Sequence, residues 1–208
     1  MNVPSGKKEL TFDEFVSSTL VSYSVFQFQV PNFGEGFGLA PGVTWAIPLG
    51  ENVVAGLGAT YQRRHAFKPL AAFAGEYDPG DELLATAGME LRVGTTATLS
   101  ADVTFSSYSA DKIAGIEIFD SGNKWIWNLQ FRQFFNYNEL WLFARYRTRA
   151  KNQLVQAGRF IDESEKTTPD QFDFKGHFRM RFRRDLYFRI LVEGRFFQET
   201  TSPFSGAR

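Results

Sequence analysis

The sequence of 208 residues has no cysteine and only two histidines. The missing thiols exclude disulfides, thiolate metal sites and cysteine nucleophiles. No run of roughly 18 apolar residues occurs, which excludes a transmembrane helix. Net charge is zero, because 23 basic residues balance 23 acidic ones, and this argues against a nucleic-acid binder. No apolar stretch follows Lys7 and Lys8, so residues 1–8 are not expected to be a signal peptide, and an exported protein is expected only as a mature form or a fragment.

Phenylalanine, with 23 residues, and glycine, with 18, are abundant instead. The mean hydropathy of −0.25 is nevertheless that of an ordinary folded chain. Charge is unevenly spread, because residues 1–104 carry 6 basic and 11 acidic side chains whereas residues 105–208 carry 17 and 12. A chain this aromatic and this mildly hydropathic must arrange its apolar residues in a pattern.

The pattern is an alternation of apolar and polar residues. Side chains on a strand point alternately to opposite faces, so each alternating segment predicts a strand with one apolar face. No position assigned to an apolar face carries a charge. The strands are about 10–13 residues long, whereas ordinary strands have about 5–6 residues. Within the eight predicted strands, the alternation is followed over 37–47, 53–64, 83–93, 98–106, 125–132, 140–149, 172–182 and 186–196.

Short and long connections between these strands alternate along the chain. Tight turns are expected at 49–52, 94–96, 135–138 and 183–185, and long polar loops at 65–81, 107–124 and 150–170. A tilted strand crosses a bilayer with about 9–11 residues, and only a closed barrel can cross with strands because every backbone group must be paired. Outer-membrane barrels have short turns at one end and long loops at the other. The sequence therefore predicts an all-β, antiparallel up-and-down transmembrane β-barrel with about eight strands.

The N-terminal segment, residues 1–36, fits this pattern less well. Thr11 and Glu14 have capping-box spacing, and apolar residues follow at helical spacing, so a short amphipathic helix is predicted over about 11–21. A strand over 22–30 is the competing interpretation. We expect a loop segment at 1–36, a barrel meander at 37–198 and a C-terminal tail at 199–208.

Three short motifs carry a resemblance: Val3 to Leu10, Val30 to Phe37 and Tyr77 to Leu83. In style they resemble Gram-negative outer-membrane transporter-like barrels, such as the phenol-degradation meta-pathway outer-membrane proteins. The resemblance implies that residues 4–36 are an extracellular loop and that the chain is a fragment of a larger barrel located in the bacterial outer membrane. It carries over no set of catalytic or binding residues.

The polar face of the last three strands is strongly cationic, and we interpret the polar face as the lumen. The turn at Arg184 predicts a register in which paired residue numbers add up to about 368, which sets Lys175 against Glu193 and Asp173 against Arg195 as ion pairs. The same register opposes Arg179 to Arg189, a like-charge pair that water, an anion, or a remote acid such as Glu90 or Asp102 must relieve. The predicted lumen-lining residues are Arg64, Glu90, Arg92, Asp102, Arg132, Arg145, Arg147, Asp173, Lys175, His177, Arg179, Arg181, Arg189, Glu193 and Arg195.

Aromatic residues cluster near strand ends on the apolar face, at the level where Trp and Tyr mark membrane interfaces. The predicted lipid-facing girdle comprises Trp45, Tyr61, Phe105, Trp125, Tyr146 and Phe182.

Porin-like or transporter-like passage of small solutes, anionic or aromatic ones among them, is the function predicted. Rings of Arg or Lys are a known means of selecting anions. Two alternatives stay open: a soluble β-barrel with an apolar ligand inside, which inverts the two faces, and a structural barrel with a plugged lumen. No catalytic residues, cofactor or metal are predicted, because the sequence has no nucleophile triad by spacing, no phosphate loop and no zinc spacing. The expected partners are the lipid bilayer and a small solute, with no nucleic acid; the oligomeric state is not predicted.

Overall fold

A computed structural model describes Thr11, Asp13 and residues 38–68, 75–164, 166, 168–183 and 186–198. Within these residues the chain is all-β and antiparallel, and it contains no helical element. The helix predicted over 11–21 and the alternative strand over 22–30 lie outside the described residues, apart from Thr11 and Asp13. The strands are β1 (Gly38–Leu39), β2 (Gly42–Pro48), β3 (Val53–Arg64), β4 (Tyr77–Asp78), β5 (Glu82–Val93), β6 (Ala97–Tyr108), β7 (Asp111–Ile113), β8 (Ile116–Asp120), β9 (Lys124–Phe135), β10 (Asn138–Arg149), β11 (Gln153–Gln156), β12 (Arg159–Asp162), β13 (Gln171–Arg183) and β14 (Leu186–Phe197).

The long strands form one nine-stranded sheet. Its order is β1-β3-β5-β6-β9-β10-β13-β14, with β2 also paired to β3. β1 and β2 follow the same edge of β3 and are interrupted at Ala40 and Pro41, so they act as one broken strand. The sheet thus has eight strand positions, as the alternation predicted. Each strand pairs with the next one along the main sheet, and the tight turns fall at one end.

The sheet has two edges, β2 and β14. Within the described residues no pairing joins them, so the closed barrel that the sequence predicted is not formed there. Pro48, which has no N–H to donate, lies at the end of β2, a position that suits an edge strand.

The two faces of the sheet differ sharply in composition. One register row of apolar residues crosses all eight positions, and an adjacent row on the opposite face is small or polar. Ala97 is the only buried hydrophobic residue in the described part of the chain, whereas Trp45 is 66% exposed and Trp127 is 49% exposed. The apolar row is Trp45, Leu57, Ala87, Val103, Trp127, Tyr146, Phe172 and Phe196. The polar row is Ala46, Gly56, Gly88, Asp102, Asn128, Arg145, Asp173 and Arg195.

Side chains on the polar face are crowded. A Cβ added at Gly88 would lie 3.0 Å from the Asp102 Cβ, and one added at Gly58 would lie 2.6 Å from the Thr86 Oγ1. A methyl group at either position would therefore require the facing side chain to shift.

The long connections are not simple loops, which corrects the expectation from their polar composition. They contain a second, five-stranded antiparallel sheet in the order β12-β11-β8-β7-β4. Its two hairpins turn at Ala114-Gly115 and Ala157-Gly158, where all four residues have positive φ angles between 49° and 79°. Two consecutive positive φ angles are the requirement of a type I′ hairpin turn. We call this second sheet the loop sheet.

Polar side chains bind the strands of the loop sheet to one another and to the connections that lead to the main sheet. The Tyr77 hydroxyl donates to the Asp111 Oδ2 at 2.6 Å, and the Gly80 N–H donates to the Asp111 Oδ1 at 2.7 Å. Burial, followed by the bond to Asp111, raises the pKa of Tyr77 well above its ordinary value. The Gly122 N–H donates to the Asn152 Oδ1 at 3.0 Å.

No helix among the described residues is long and apolar enough to cross a membrane.

Candidate functional site

The residues predicted to line a lumen all lie on the polar face of the main sheet. The pair registers place them on the same side as the polar row. Cations outnumber acids on this surface, and they concentrate on β10, β13 and β14. We call the polar face of β9, β10, β13 and β14 the cationic wall.

The register predicted for β13 and β14 is confirmed. Asp173 pairs with Arg195, Lys175 with Glu193, and Arg179 with Arg189. Both expected ion pairs form at 2.8 Å between the charged atoms. The register shifts only near the turn, between Arg181 and Arg183.

The acid that relieves the Arg179–Arg189 opposition is Glu139, which the sequence analysis missed. Its Oε2 accepts from the Arg179 Nη2 at 2.8 Å, and its Oε1 accepts from the Arg132 Nε at 2.7 Å. The His177 Nε2 lies 3.8 Å from the Oε2. Glu139 is only 4% exposed and draws its partners from β9 and β13, the two neighbours of β10. Glu90 and Asp102, which were candidates for this role if closure of the barrel brought them near, form no ion pair with Arg179 or Arg189 in the described part of the chain.

A second acid, Asp173, gathers the other cations of the wall. Its carboxylate accepts from the Arg147 Nη2 at 2.7 Å, the Arg195 Nε at 2.8 Å and the Gln171 Nε2 at 2.7 Å. Asp173 is 4% exposed. Charge-assisted hydrogen bonds of this length are the stronger kind. Glu139 and Asp173 therefore act as two anchor points that fix the Arg side chains across four strands.

Asp102 serves a third connection, across β6, β9 and β10. The Asn128 Nδ2 donates to the Asp102 Oδ2 at 2.6 Å, and the Arg145 Nε donates to the Asn128 Oδ1 at 2.9 Å. Arg145 also lies 5.1 Å from the ring centre of Phe143. Arg92, Arg145 and Arg189 are among the cations of the polar face that form no ion pair with any carboxylate in the described part of the chain.

Two aromatic residues interrupt the cationic wall on its polar side. Trp141 and Phe143 are stacked with ring centres 5.8 Å apart and planes inclined by 4°. The imidazole of His177 lies 5.5 Å from the Trp141 ring. Trp141 is the one tryptophan of the chain on the polar face, because Trp45, Trp125 and Trp127 lie on the apolar face.

Five of the six predicted girdle residues lie near strand ends on the apolar face. Tyr61 and Tyr146 each stand three residues before their strand ends, and their hydroxyls donate to Asp81 and Asp170, the residues that directly precede β5 and β13. Trp127, which the prediction omitted, stacks on Trp125 with ring centres 5.9 Å apart. Phe105 lies near the end of β6, Trp125 near the start of β9 and Phe182 near the end of β13, whereas Trp45 lies at the middle of β2 and does not fit the predicted position near a strand end.

Asp170 marks the border between the strands and the loop sheet. Lys166, Thr148 and Tyr146 form hydrogen bonds with its carboxylate. Burial acts to raise the pKa of Asp170, but these hydrogen bonds outweigh it and hold the pKa below its ordinary value. The carboxylate is therefore ionised at neutral pH and links the Tyr146 hydroxyl to the loop.

The described residues contain no group of three or more His, Asp or Glu side chains placed to hold a metal ion. Comparison of the chain with protein-family models, with curated proteins and with solved structures found no match. The two faces of the main sheet are therefore the features of this chain that bear on its function.

Proposed function

We propose that the chain forms the wall of a β-barrel in the bacterial outer membrane and that small solutes, anionic or aromatic ones among them, pass along its polar face. The observation that carries the proposal is the apolar face, which runs across all eight strand positions while Ala97 is the only buried hydrophobic residue among those described. Exposed apolar patches beyond a few hundred Å² mark interaction or membrane surfaces. Contact with lipid explains why this face is both apolar and exposed, and it leaves the polar face directed toward the interior.

The sizes of the side chains on the polar face support closure into a barrel. β2, β3 and β5 present Ala46, Gly56 and Gly88 in the same register row in which β10 and β14 present Arg145 and Arg195. In a narrow closed barrel, large side chains from one side of the interior need small residues on the other. The small half and the cationic half fit that requirement.

The unpaired charge of the cationic wall supports anionic solutes. Arg145 and Arg189 have no carboxylate partner among the described residues. Stationary cations along a path favour anions over cations. Trp141 and Phe143 provide apolar surface beside them, which suits solutes that carry a ring.

The experiment is the current through planar bilayers that contain the full chain, with a potassium chloride gradient across them. We expect discrete channels with a reversal potential displaced toward that of chloride. Arg145→Gln reduces the displacement, whereas Arg159→Gln on β12, in the loop sheet, is the matched control and leaves it unchanged. A reversal potential on the potassium side contradicts the proposal.

A second candidate is a structural barrel with a plugged lumen. The observation that favours it is the pairing of Glu139 and Asp173 with four arginines, which ties the wall together. This candidate predicts a stable membrane-inserted chain that conducts no current in the same experiment. The two candidates share the same placement of faces.

A further inference from the structure

A polar cavity of about 320 Å³ lies where β3 meets the loop sheet. Its basic lining residues include Arg63, Arg64 and Lys112, and its acids are Asp78 and Asp81. Asp81 is already engaged, since it accepts hydrogen bonds from the Tyr61 hydroxyl and the Arg64 backbone N–H. Of the three cations, Arg64 also pairs with Glu82 at 3.3 Å and Lys112 lies 3.9 Å from Glu117, so Arg63 is the cation of this lining that has no carboxylate partner in the described part of the chain.

Two arginine groups at this cavity can still bind an anion: the Arg63 guanidinium and the Nε of Arg64. Arg63 forms no ion pair with a carboxylate in the described part of the chain. The Nε of Arg64 is buried and has no hydrogen-bond partner there, although the same guanidinium reaches Glu82 at 3.3 Å. A buried guanidinium N–H without an acceptor calls for a polar group that the protein does not itself supply.

An apolar groove of about 550 Å³ lies on the apolar face. Ala59, Ala85 and Ala87 line it, together with Trp45 and Trp125. The alternation along β3 places Leu57, Ala59, Tyr61 and Arg63 on one face, so the groove leads to the cationic cavity. Four residues of strand separate Ala59 from Arg63, which is about 13 Å.

We propose that the groove and the cavity together bind one phosphate-bearing acyl lipid, with an acyl chain along the groove and the phosphate at Arg63 and Lys112. The proposal rests on the membrane placement of the apolar face. Tyr61 lies between the two parts, and tyrosine is enriched at the headgroup level. Arg63, two residues beyond Tyr61, places its charge where a lipid phosphate lies.

Charge complementarity selects this occupant over a second copy of the chain. Arg63 has no carboxylate partner in the described part of the chain, and Lys112 has only a loose, solvent-exposed contact with Glu117 at 3.9 Å. A groove that only joined two apolar faces would gain nothing from these cations at one end. Basic pockets at the membrane surface are the known means of holding anionic headgroups.

The test uses the chain in maltoside micelles with Trp45 as its single tryptophan, the other three being changed to Phe. Dioleoyl phosphatidic acid brominated in its chains is titrated against the protein, and brominated dioleoylglycerol, which lacks the phosphate, is the comparison. We expect saturable quenching of Trp45 by the phosphatidic acid, and Arg63→Ala with Lys112→Ala weakens it about thirtyfold. Arg159→Ala, a cation of the loop sheet outside the cavity, is the matched control and leaves it unchanged.

Four results overturn this site. The first is equal quenching by both lipids, which removes any role for the phosphate, and the second is an unchanged affinity in the double variant with an unchanged circular dichroism spectrum. The third is stabilisation of the protein against unfolding by inorganic phosphate, without any quenching of Trp45 by the lipid. This result would assign the cavity to a free anion. The fourth is a sedimenting dimer in which Trp45 is shielded from lipid.

A chain with Trp127 as its single tryptophan separates the two proposals. Trp127 lies on the apolar face but does not line this groove. Quenching of Trp127 by brominated bilayer lipid, together with any of the four results above, overturns the lipid site and leaves the membrane placement intact.

Discussion

Glu139→Gln is the sharpest perturbation of the cationic wall. The Glu139 side chain is 6% exposed and holds Arg132 and Arg179 on its two oxygens, at 2.7 Å and 2.8 Å. A glutamine keeps the shape and one acceptor oxygen. It removes the charge and turns an NH2 group toward one guanidinium, so at least one arginine is left without an acceptor.

The size of the effect follows from the exposure of the partners. Breaking a fully buried ion pair costs about 3–5 kcal/mol, and breaking an exposed one costs about 0–1 kcal/mol. Glu139 is buried, but Arg132 and Arg179 are 48% and 47% exposed, so water screens part of the loss. We therefore expect the free energy of unfolding to fall by about 2 kcal/mol.

The matched control is Glu193→Gln, which breaks the pair with Lys175. Those side chains are 46% and 38% exposed, so the expected loss is below about 1 kcal/mol. The assay is urea unfolding of the chain in detergent micelles, followed by tryptophan fluorescence, in which the midpoint falls and the slope stays constant. Equal losses in the two variants would refute the role of Glu139 as an anchor.

Three further predictions concern the rest of the fold. Gly88→Ala lowers the free energy of unfolding by about 1–3 kcal/mol, because the added Cβ would lie against Asp102. Gly56→Ala is tolerated, because its Cβ would have only a backbone oxygen nearby, at 4.0 Å. The two variants are compared by their midpoints of urea unfolding. Ala157→Asn raises the stability of the β11–β12 hairpin by up to about 1 kcal/mol, since Asn tolerates the positive φ of 51°; slower amide exchange in β11 reports it, and unchanged exchange speaks against the turn assignment. Because the pKa of Asp170 is lowered in the folded protein, its ionised carboxylate stabilises the fold fully at pH values above the ordinary pKa of about 3.9. This stabilisation is lost as the pH falls toward the pKa of the folded state. Lys166→Met flattens this acid dependence in exchange measurements at the loop sheet, and an unchanged profile counts against the pairing.

The strand pattern was predictable because alternation reports which face each residue occupies. Even the register of β13 and β14 followed from one turn, since fixing the pairs Lys175–Glu193 and Asp173–Arg195 requires only the position of that turn. Local information of this kind is sufficient for hairpins.

Glu139 was not predictable in the same way. It lies directly after a tight turn, at the second residue of β10, so its position suggested a turn residue rather than a member of the wall. Its partners Arg132 and Arg179 come from two different strands, and their meeting depends on the combined register of β9, β10 and β13. A search for acids opposite Arg179 through both neighbours of β13 would have found it.

The loop sheet was missed because its strands have only two to five residues, too few for alternation to show. A signal was present in the Ala-Gly pairs at 114–115 and 157–158, each of which lies between short apolar segments. Glycine at the second position of a two-residue turn is the mark of a hairpin.

The placement of the two faces is the central claim, and tryptophan quenching in lipid vesicles tests it most directly. Two single-tryptophan chains are needed, one with Trp127 on the apolar face and one with Trp141 on the polar face. The account predicts that brominated phosphatidylcholine quenches Trp127 and spares Trp141, while aqueous iodide quenches Trp141 and spares Trp127. The inverse result, with Trp141 shielded from iodide and Trp127 open to it, would contradict the membrane placement and favour a soluble barrel with an apolar interior.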